Sequence, residues 1–340
     1  MKRRLLVSDL HLTDREKDNY RWDLFPWLEK QIKEHKVDRL YMMGDLTDFK
    51  DKHSSILTNK IVEVFSRLAK LCPVVLLKGN HDFIQSEKPF FRFLEQIPDV
   101  TYVNSPWEYH DTGDLSELFL PHTKTPIEDW KDINFSQYDI VYLHQCVIGS
   151  KGANDFEMEH GLDPSFFAKK KCRVISGDIH VPQIVGSHLK GQVEYIGSPY
   201  PVAFGDHFKA RCLLIDDNGD KDLFFPTIQK RAIKIKNPDA LKLQRLKSGD
   251  QVSVKLQLTQ AEFVSWPDYK RQCLAWCDEK GIVVHSIALE PIVKEIDKKK
   301  EAEAKKQRSY LSDPKEIINM FGKKEKLDPL LIKEGQALLA

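Results

Sequence analysis

Short apolar runs and helix-period segments alternate through the first hundred residues. "RRLLVSD", "VDRLYMMGD" and "PVVLLKGNHD" read as buried strands, each ending in polar residues. Between them, "NYRWDLFPWLEKQIKEH" spaces Trp22, Phe25, Leu28 and Ile32 as one helix face, interrupted only by its proline, and "SSILTNKIVEVFSRLAKL" predicts a second helix. This alternation predicts parallel βαβ units. After residue 97 the strands become shorter and more frequent: "VTYVN", "LSELFLP", "YDIVYLHQ", "CRVISGDIH", "QVEYIGSP", "RCLLID" and "DLFFP". They predict a second sheet, face to face with the first and with few helices between. The fold class is therefore α/β, two face-to-face sheets flanked by helices. Near Pro226 the pattern changes to strand, short helix, strand, helix, strand, a small α+β module. From Val293 the chain becomes charged and helical, with Asp313-Pro314 and Asp328-Pro329 as helix starts. The division is 1–225, 226–292 and 293–340.

Composition narrows the classes. Basic and acidic residues number 52 and 51 in 340, so no global charge points to nucleic acid or a membrane. The six cysteines form no C-x-x-C pair and several lie in apolar runs, which suits reduced thiols in a cytoplasmic protein. Only "LLV" follows the basic start before Ser8-Asp9, too short for a secretory segment, and no apolar run is long enough to span a membrane. Gly186 to Gln192 is the nearest approach to a phosphate loop. It lacks the Lys-Ser/Thr pair of a nucleotide-binding loop.

Five strand ends carry the chemistry. They are Asp9-Leu-His11, Gly44-Asp45-Leu-Thr-Asp48, Gly79-Asn80-His81-Asp82, His144 in "VYLHQ", and Gly177-Asp178-Ile-His180. In an open α/β sheet, ligands bind beyond the carboxyl ends of the strands, so five polar ends on one rim would converge. Asp, Asn and His together make a mixed oxygen and nitrogen donor set suited to manganese, iron or zinc. Two such ions about 3.5–4 Å apart stabilise the attacking and leaving oxygens of a displacement at phosphorus. Any one motif alone is an ordinary turn; the ordered set is not.

That ordered set resembles the calcineurin-like metallophosphoesterase superfamily over roughly residues 4–216. "IGSPYPVAFGD" (196–206) and "GDLTDF" resemble the SbcD-type DNA nuclease subunits, and the α+β module resembles their capping domain. The resemblance implies one ion on Asp9, His11, Asp45 and His180 and another on Asp45, Asn80, His144 and Asp178. The ions would be manganese, with magnesium as the other hard candidate. It implies His81 as the group that protonates the leaving oxygen or contacts phosphate, with Asp48 and Asp82 orienting neighbouring imidazoles. It also implies DNA as substrate, a homodimer, no membrane, and an SbcC-like coiled-coil ATPase bound through the tail, in a compact bacterial or phage protein. One residue departs from the pattern. Where the family has Gly-His-x-His, this chain has Gly177-Asp178-Ile179-His180. A carboxylate there adds negative charge and favours hard ions.

Other residues read more plainly. His53 suits a phosphate contact or a loop. Tyr200 and Phe204 suit a DNA-facing rim or simple packing. Cys273 and Cys277, one helical turn apart, read as core. The lysine-rich run 298–306 reads as solvated helix. Helices near 54–70 and 89–96 are candidate dimer surfaces.

Overall fold

The computed structural model describes residues 2–110, 115–206 and 208–292, with Ile318, 328–331 and Lys333 of the C-terminal stretch. The remainder of the tail, including the lysine-rich run and most of the expected ATPase-binding helices, lies outside the described residues, as does His207.

In chain order the first layer is β1 (Arg4–Val7), α1 (Leu24–His35), β2 (Arg39–Met42), α2 (Ser55–Ala69), β3 (Val74–Leu77) and β4 (Val100–Val103). The second is β5 (Trp107–Tyr109), β6 (Glu117–Leu120), the single-turn α3 (Pro126–Asp129), β7 (Ile140–His144), β8 (Arg173–Gly177), β9 (Gln183–Ser187) and β10 (Gly191–Tyr195). The hairpin β11 (Cys212–Asp216) and β12 (Gly219–Leu223) follows. The α+β module comprises β13 (Lys230–Ile235), α4 (Pro238–Lys242), β14 (Gln251–Leu258), α5 (Trp266–Glu279) and β15 (Val283–Pro291).

The sheets run β12-β11-β1-β2-β3-β4 and β5-β6-β7-β8-β10-β9, with a separate all-parallel sheet β13-β14-β15. The sequence reading assigned every strand after residue 97 to the second sheet. Three of them join the first instead: β4 beside β3, and the β11–β12 hairpin antiparallel on the open edge of β1. Apolar pattern reports that a strand is buried, not which edge it completes. Strands β5 and β9 are unannounced by pattern because they are edge strands, with fewer buried positions. The Gly186–Gln192 stretch is the end of β9, a tight turn and the start of β10.

Local physics explains the helices. Ser54 caps α2 by accepting from the Leu57 amide at 3.1 Å, and Leu57, Ile61, Val64, Phe65 and Leu68 form its buried stripe. Pro26 does not break α1, because it falls in the first turn, where amides have no intrahelical partner. Both helices cover the outer face of the first sheet. The faces between the sheets are filled by Leu6, Tyr41, Met43, Val75, Leu77, Phe119, Tyr142 and Ile175, among others, at about 1.5–3 kcal/mol for each fully buried large side chain. Within this apolar layer lies one ionic contact. Arg4 on β1 donates to Glu117 on β6 at 2.6 Å, and Tyr41 and Tyr142 donate to the same carboxylate at 2.7 and 2.8 Å. Among the described residues no helix is long and apolar enough to cross a membrane.

The inter-sheet pair yields a prediction. Glu117→Ala should destabilise the protein by about 3–5 kcal/mol, because it leaves a buried guanidinium short of its counter-charge. Replacing both members with apolar residues, Arg4→Met with Glu117→Leu, should recover much of that loss. Urea-denaturation midpoints would measure both; an unchanged midpoint in Glu117→Ala would show that the pair does not clamp the sheets.

Candidate metal centre

All five polar strand ends meet on one rim. The loops after β1 and β2 are knit together by backbone bonds: Asp9 N–H to Gly44 O at 3.1 Å, His11 to Asp45 at 3.0 Å and Leu12 to Leu46 at 2.9 Å. Knitting them this way forces an unusual backbone. Asp9, His11, Asp45 and Asp178 have φ of 55°, 44°, 53° and 83°, in the left-handed region that side chains rarely adopt. Such strain costs of order 1–3 kcal/mol per residue and persists where the surroundings hold it in place. Here it falls on four of the candidate ligands.

Close approach explains the glycines. The His144 ring is lodged among Gly44, Gly79 and Gly177. A Cβ on Gly44 would sit 2.2 Å from His144 Nδ1, on Gly177 2.8 Å from the same atom, and on Gly79 3.0 Å from its Cε1. His144 Nδ1 lies 2.6 Å from Met43 O, a partner that can only accept. The proton therefore belongs on Nδ1, which leaves Nε2 as the ligand atom facing the site.

Asp45 sits at the centre. Its Oδ2 is 3.6 Å from His11 Nε2, and its Oδ1 is 3.3 Å from His144 Nε2. Around the first oxygen, His11 and His180 bring their Nε2 atoms within 3.2 Å of each other. Around the second, the Asn80 amide is 3.0 Å and Asp178 Oδ1 3.6 Å from His144 Nε2. Asp9 lies between the groups: its Oδ1 accepts from the Asp178 amide at 3.2 Å, and its Oδ2 is buried with no hydrogen-bond partner. Three overlapping sets, Asp9–His11–His180, Asp9–Asp45–His144 and His11–Asp45–His81, hold ligand atoms within 4.8 Å of one another. A buried carboxylate oxygen without a partner, beside imidazoles packed nitrogen to nitrogen, is a donor set that suits cations.

Charge reports the same tension. Burial raises Asp178 to about 6, opposed by His144 and reinforced by Asp45 and Asp9. Burial works against charge on His144, but Asp45, Asp9 and Asp178 outweigh it and hold the imidazole well above its usual value. Burial likewise opposes ionisation of Asp45, and His144, His11 and His81 overcome it.

The neighbouring acids divide. Asp48 Oδ1 is 3.2 Å from His11 Nδ1, in ion-pair range. Asp82 does not orient an imidazole as the sequence reading expected. Its oxygens accept from the amides of Gly79, Asp45 and Leu46 at 2.7, 3.1 and 3.0 Å, bracing the second and third motif loops. Burial, with Asp45 close by, raises it to about 6. His81 donates its backbone amide to Asp45 Oδ1 at 2.8 Å, and its Nδ1 lies 3.1 Å from Asp48 O. Asp206 is a further member of the site that no motif spacing marks. Asp206 Oδ2 lies 3.6 Å from His180 Nδ1 and is itself held by the Val202 and Ala203 amides at 2.9 and 2.7 Å. It ends the "GSPYPVAFGD" segment, the only signal that could have found it. His53 packs on Phe90 and Phe91 with its Nε2 2.8 Å from Thr47 Oγ1, a loop contact. Tyr200 is buried and donates to Leu10 O at 2.6 Å.

Among solved structures, the chain is similar to GAP50, the anchor in the inner membrane complex of Plasmodium, with 15% identity, 66% of this chain and 84% of that one covered, and a TM-score of 0.45. A dimetal phosphatase from Danio rerio matches at 11% identity over 65% of this chain and 98% of its own, with a TM-score of 0.39. A Pseudomonas putida nuclease, MPE, matches at 16% over 62% and 84%, with a TM-score of 0.32. The family model for calcineurin-like phosphoesterases matches residues 2–182, more than half of the chain and all five strand-end motifs. By that match the chain belongs to the calcineurin-like phosphoesterase family, whose fold holds two divalent metals and hydrolyses phosphoesters.

Proposed function

We propose that this phosphoesterase is a DNA nuclease that hydrolyses phosphodiester bonds with two divalent ions, manganese first among them, in partnership with an SbcC-like ATPase. The observation that carries the reading is the position of His81 beside the ligand groups. Its ring lies 4.9 Å from that of His11, at the partly exposed edge of the site. With Nδ1 against Asp48 O, its other nitrogen is left for substrate.

The residues fit the assigned roles. Asp9, His11, Asp45 and His180 would hold one ion, and Asp45, Asn80, His144 and Asp178 the other. When bound, the ions supply charge stabilisation to a displacement at phosphorus. The protein's own share is threefold. Asp45 presents one oxygen to each ligand group. Asp206 and Met43 O hold His180 and His144 by their far nitrogens. His81 delivers a proton to the leaving oxygen, work suited to an imidazole at neutral pH.

The substrate assignment rests on the "IGSPYPVAFGD" segment and on the module at 226–292, read as a DNA-facing cap between the body (1–225) and a partner-binding tail (293–340). Cap and body touch beside the site. Lys230 Nζ reaches Val202 O at 3.0 Å and lies 3.6 Å from Asp18 Oδ1. Asp178 favours an active centre over an inert scaffold for the ATPase. Its carboxylate is directed into the site, 3.6 Å from His144, in the place an imidazole would fill.

Two outcomes follow. His81→Ala should lose about 10²–10⁴-fold in cleavage of end-labelled duplex and single-stranded DNA. It should retain the parent's metal content by elemental analysis; normal turnover would remove His81 from the mechanism. Asp178→Ala should lose metal, whereas Asp178→His should keep it and tolerate zinc better than the parent does. Cleavage by Asp178→His but not by the parent would instead mark the natural chain as the inert scaffold.

A further inference from the structure

Where the α+β module meets the body there is a cleft of about 170 Å³, lined by both. It is smaller than the roughly 300–1,000 Å³ that takes a whole small molecule. Arg15, Lys17 and Arg21 line it from the segment after β1, and Lys230 lines it from β13. Against these four cations stand two carboxylates, Asp18 and Asp48.

Two of the four cations are buried. The side chains of Arg21 and Lys230 are 2% and 6% exposed. Asp18 is already divided among Arg15 at 2.8 Å, Arg21 at 3.5 Å and Lys230 at 3.6 Å, and it also accepts from Thr13 at 3.0 Å. Asp48 pairs with Arg15, lies 3.8 Å from Arg21 and faces His11. Burial and then Arg21 push the Lys230 ammonium down to about 8, against the pull of Asp18 and Asp48. At the mouth, exposed Lys17 places its Nζ 3.3 Å from His285 Nδ1. His285, lowered by burial and then by Lys17, is a neutral acceptor there and supplies no negative charge.

We infer that this cleft holds a second phosphate of the substrate, next along the chain from the one hydrolysed. The inference rests on the nuclease reading and deepens it, since a monoester has no second phosphate to place. Proximity supports it. Asp48 forms the cleft wall with one face and contacts His11 with the other, so a single carboxylate separates the two places. A phosphate would supply the missing charge and accept from arginine and lysine together.

The test is equilibrium binding of fluorescein-labelled oligothymidylate by the full chain in chelator, across a salt series. Lys17→Ala should weaken binding about five-fold and flatten the slope of log Kd against log salt by about 1. Lys230→Met should also weaken it, although a residue so buried contributes little to a diffuse basic surface. The double variant should lose less than the product of the two, because both act on one phosphate. Lys33→Ala, an exposed lysine in the last turn of α1, should bind as the parent does. Parent-like binding by Lys17→Ala, or an equal loss in Lys33→Ala, would overturn the inference. If Lys230→Met fails to fold, Lys17→Ala against Lys33→Ala still decides. Hydrolysis of bis(p-nitrophenyl) phosphate by the parent with manganese is read separately. Its absence would count against the phosphodiesterase reading while leaving the binding result to judge the cleft.

Discussion

Asp9, Asp45 and Asp178 share one nearly dry space, and like charges held that close cannot stand without compensation. Much of the surrounding architecture answers this constraint. Imidazoles from four strand ends point inward. His144 is held well above its usual pKa by the acids around it. Asp82, fully buried beside Asp45, feels the same repulsion, offset in part by the three backbone amides that donate to its oxygens.

Gathering these groups requires backbone that resists being gathered. Four candidate ligand positions lie at positive φ, and the apolar layers on either side must hold them there. The inter-sheet core does so with Arg4 and Glu117 joined across it, one from a strand of each sheet. Site and core are therefore one mechanical system. The sandwich supplies stability, and the rim consumes some of it to keep strained residues in place.

The sequence announced the rim far better than the edges. Each ligand motif follows an apolar run, and strand ends in an α/β layer have only one place to converge. The helices were legible for the same reason, since their buried stripes repeat at helical period. What was not legible depends on partners distant in sequence. The β11–β12 hairpin completes the first sheet because β1 has an open edge, and nothing within "RCLLID" says so. Asp206 matters because it lies behind His180, and the charge cluster of Asp18, Arg21 and Lys230 exists only once β13 is laid against the segment after β1. Asp82 carried the right residue type for orienting an imidazole, but the amides of its own and the neighbouring loop were closer.

The three glycines around His144 act as a spacer of zero thickness between the two sheets. Because a Cβ at Gly44 or Gly177 would collide with the ring, the sheets at this rim stand as close as an imidazole permits, and no strand can slide without moving a ligand. A centre built this way cannot be retuned by adjusting distances. On the ligand set proposed above, its preference among ions changes by exchanging the group at the end of a fixed strand, and Asp178, a carboxylate at a positive φ, would be such an exchange.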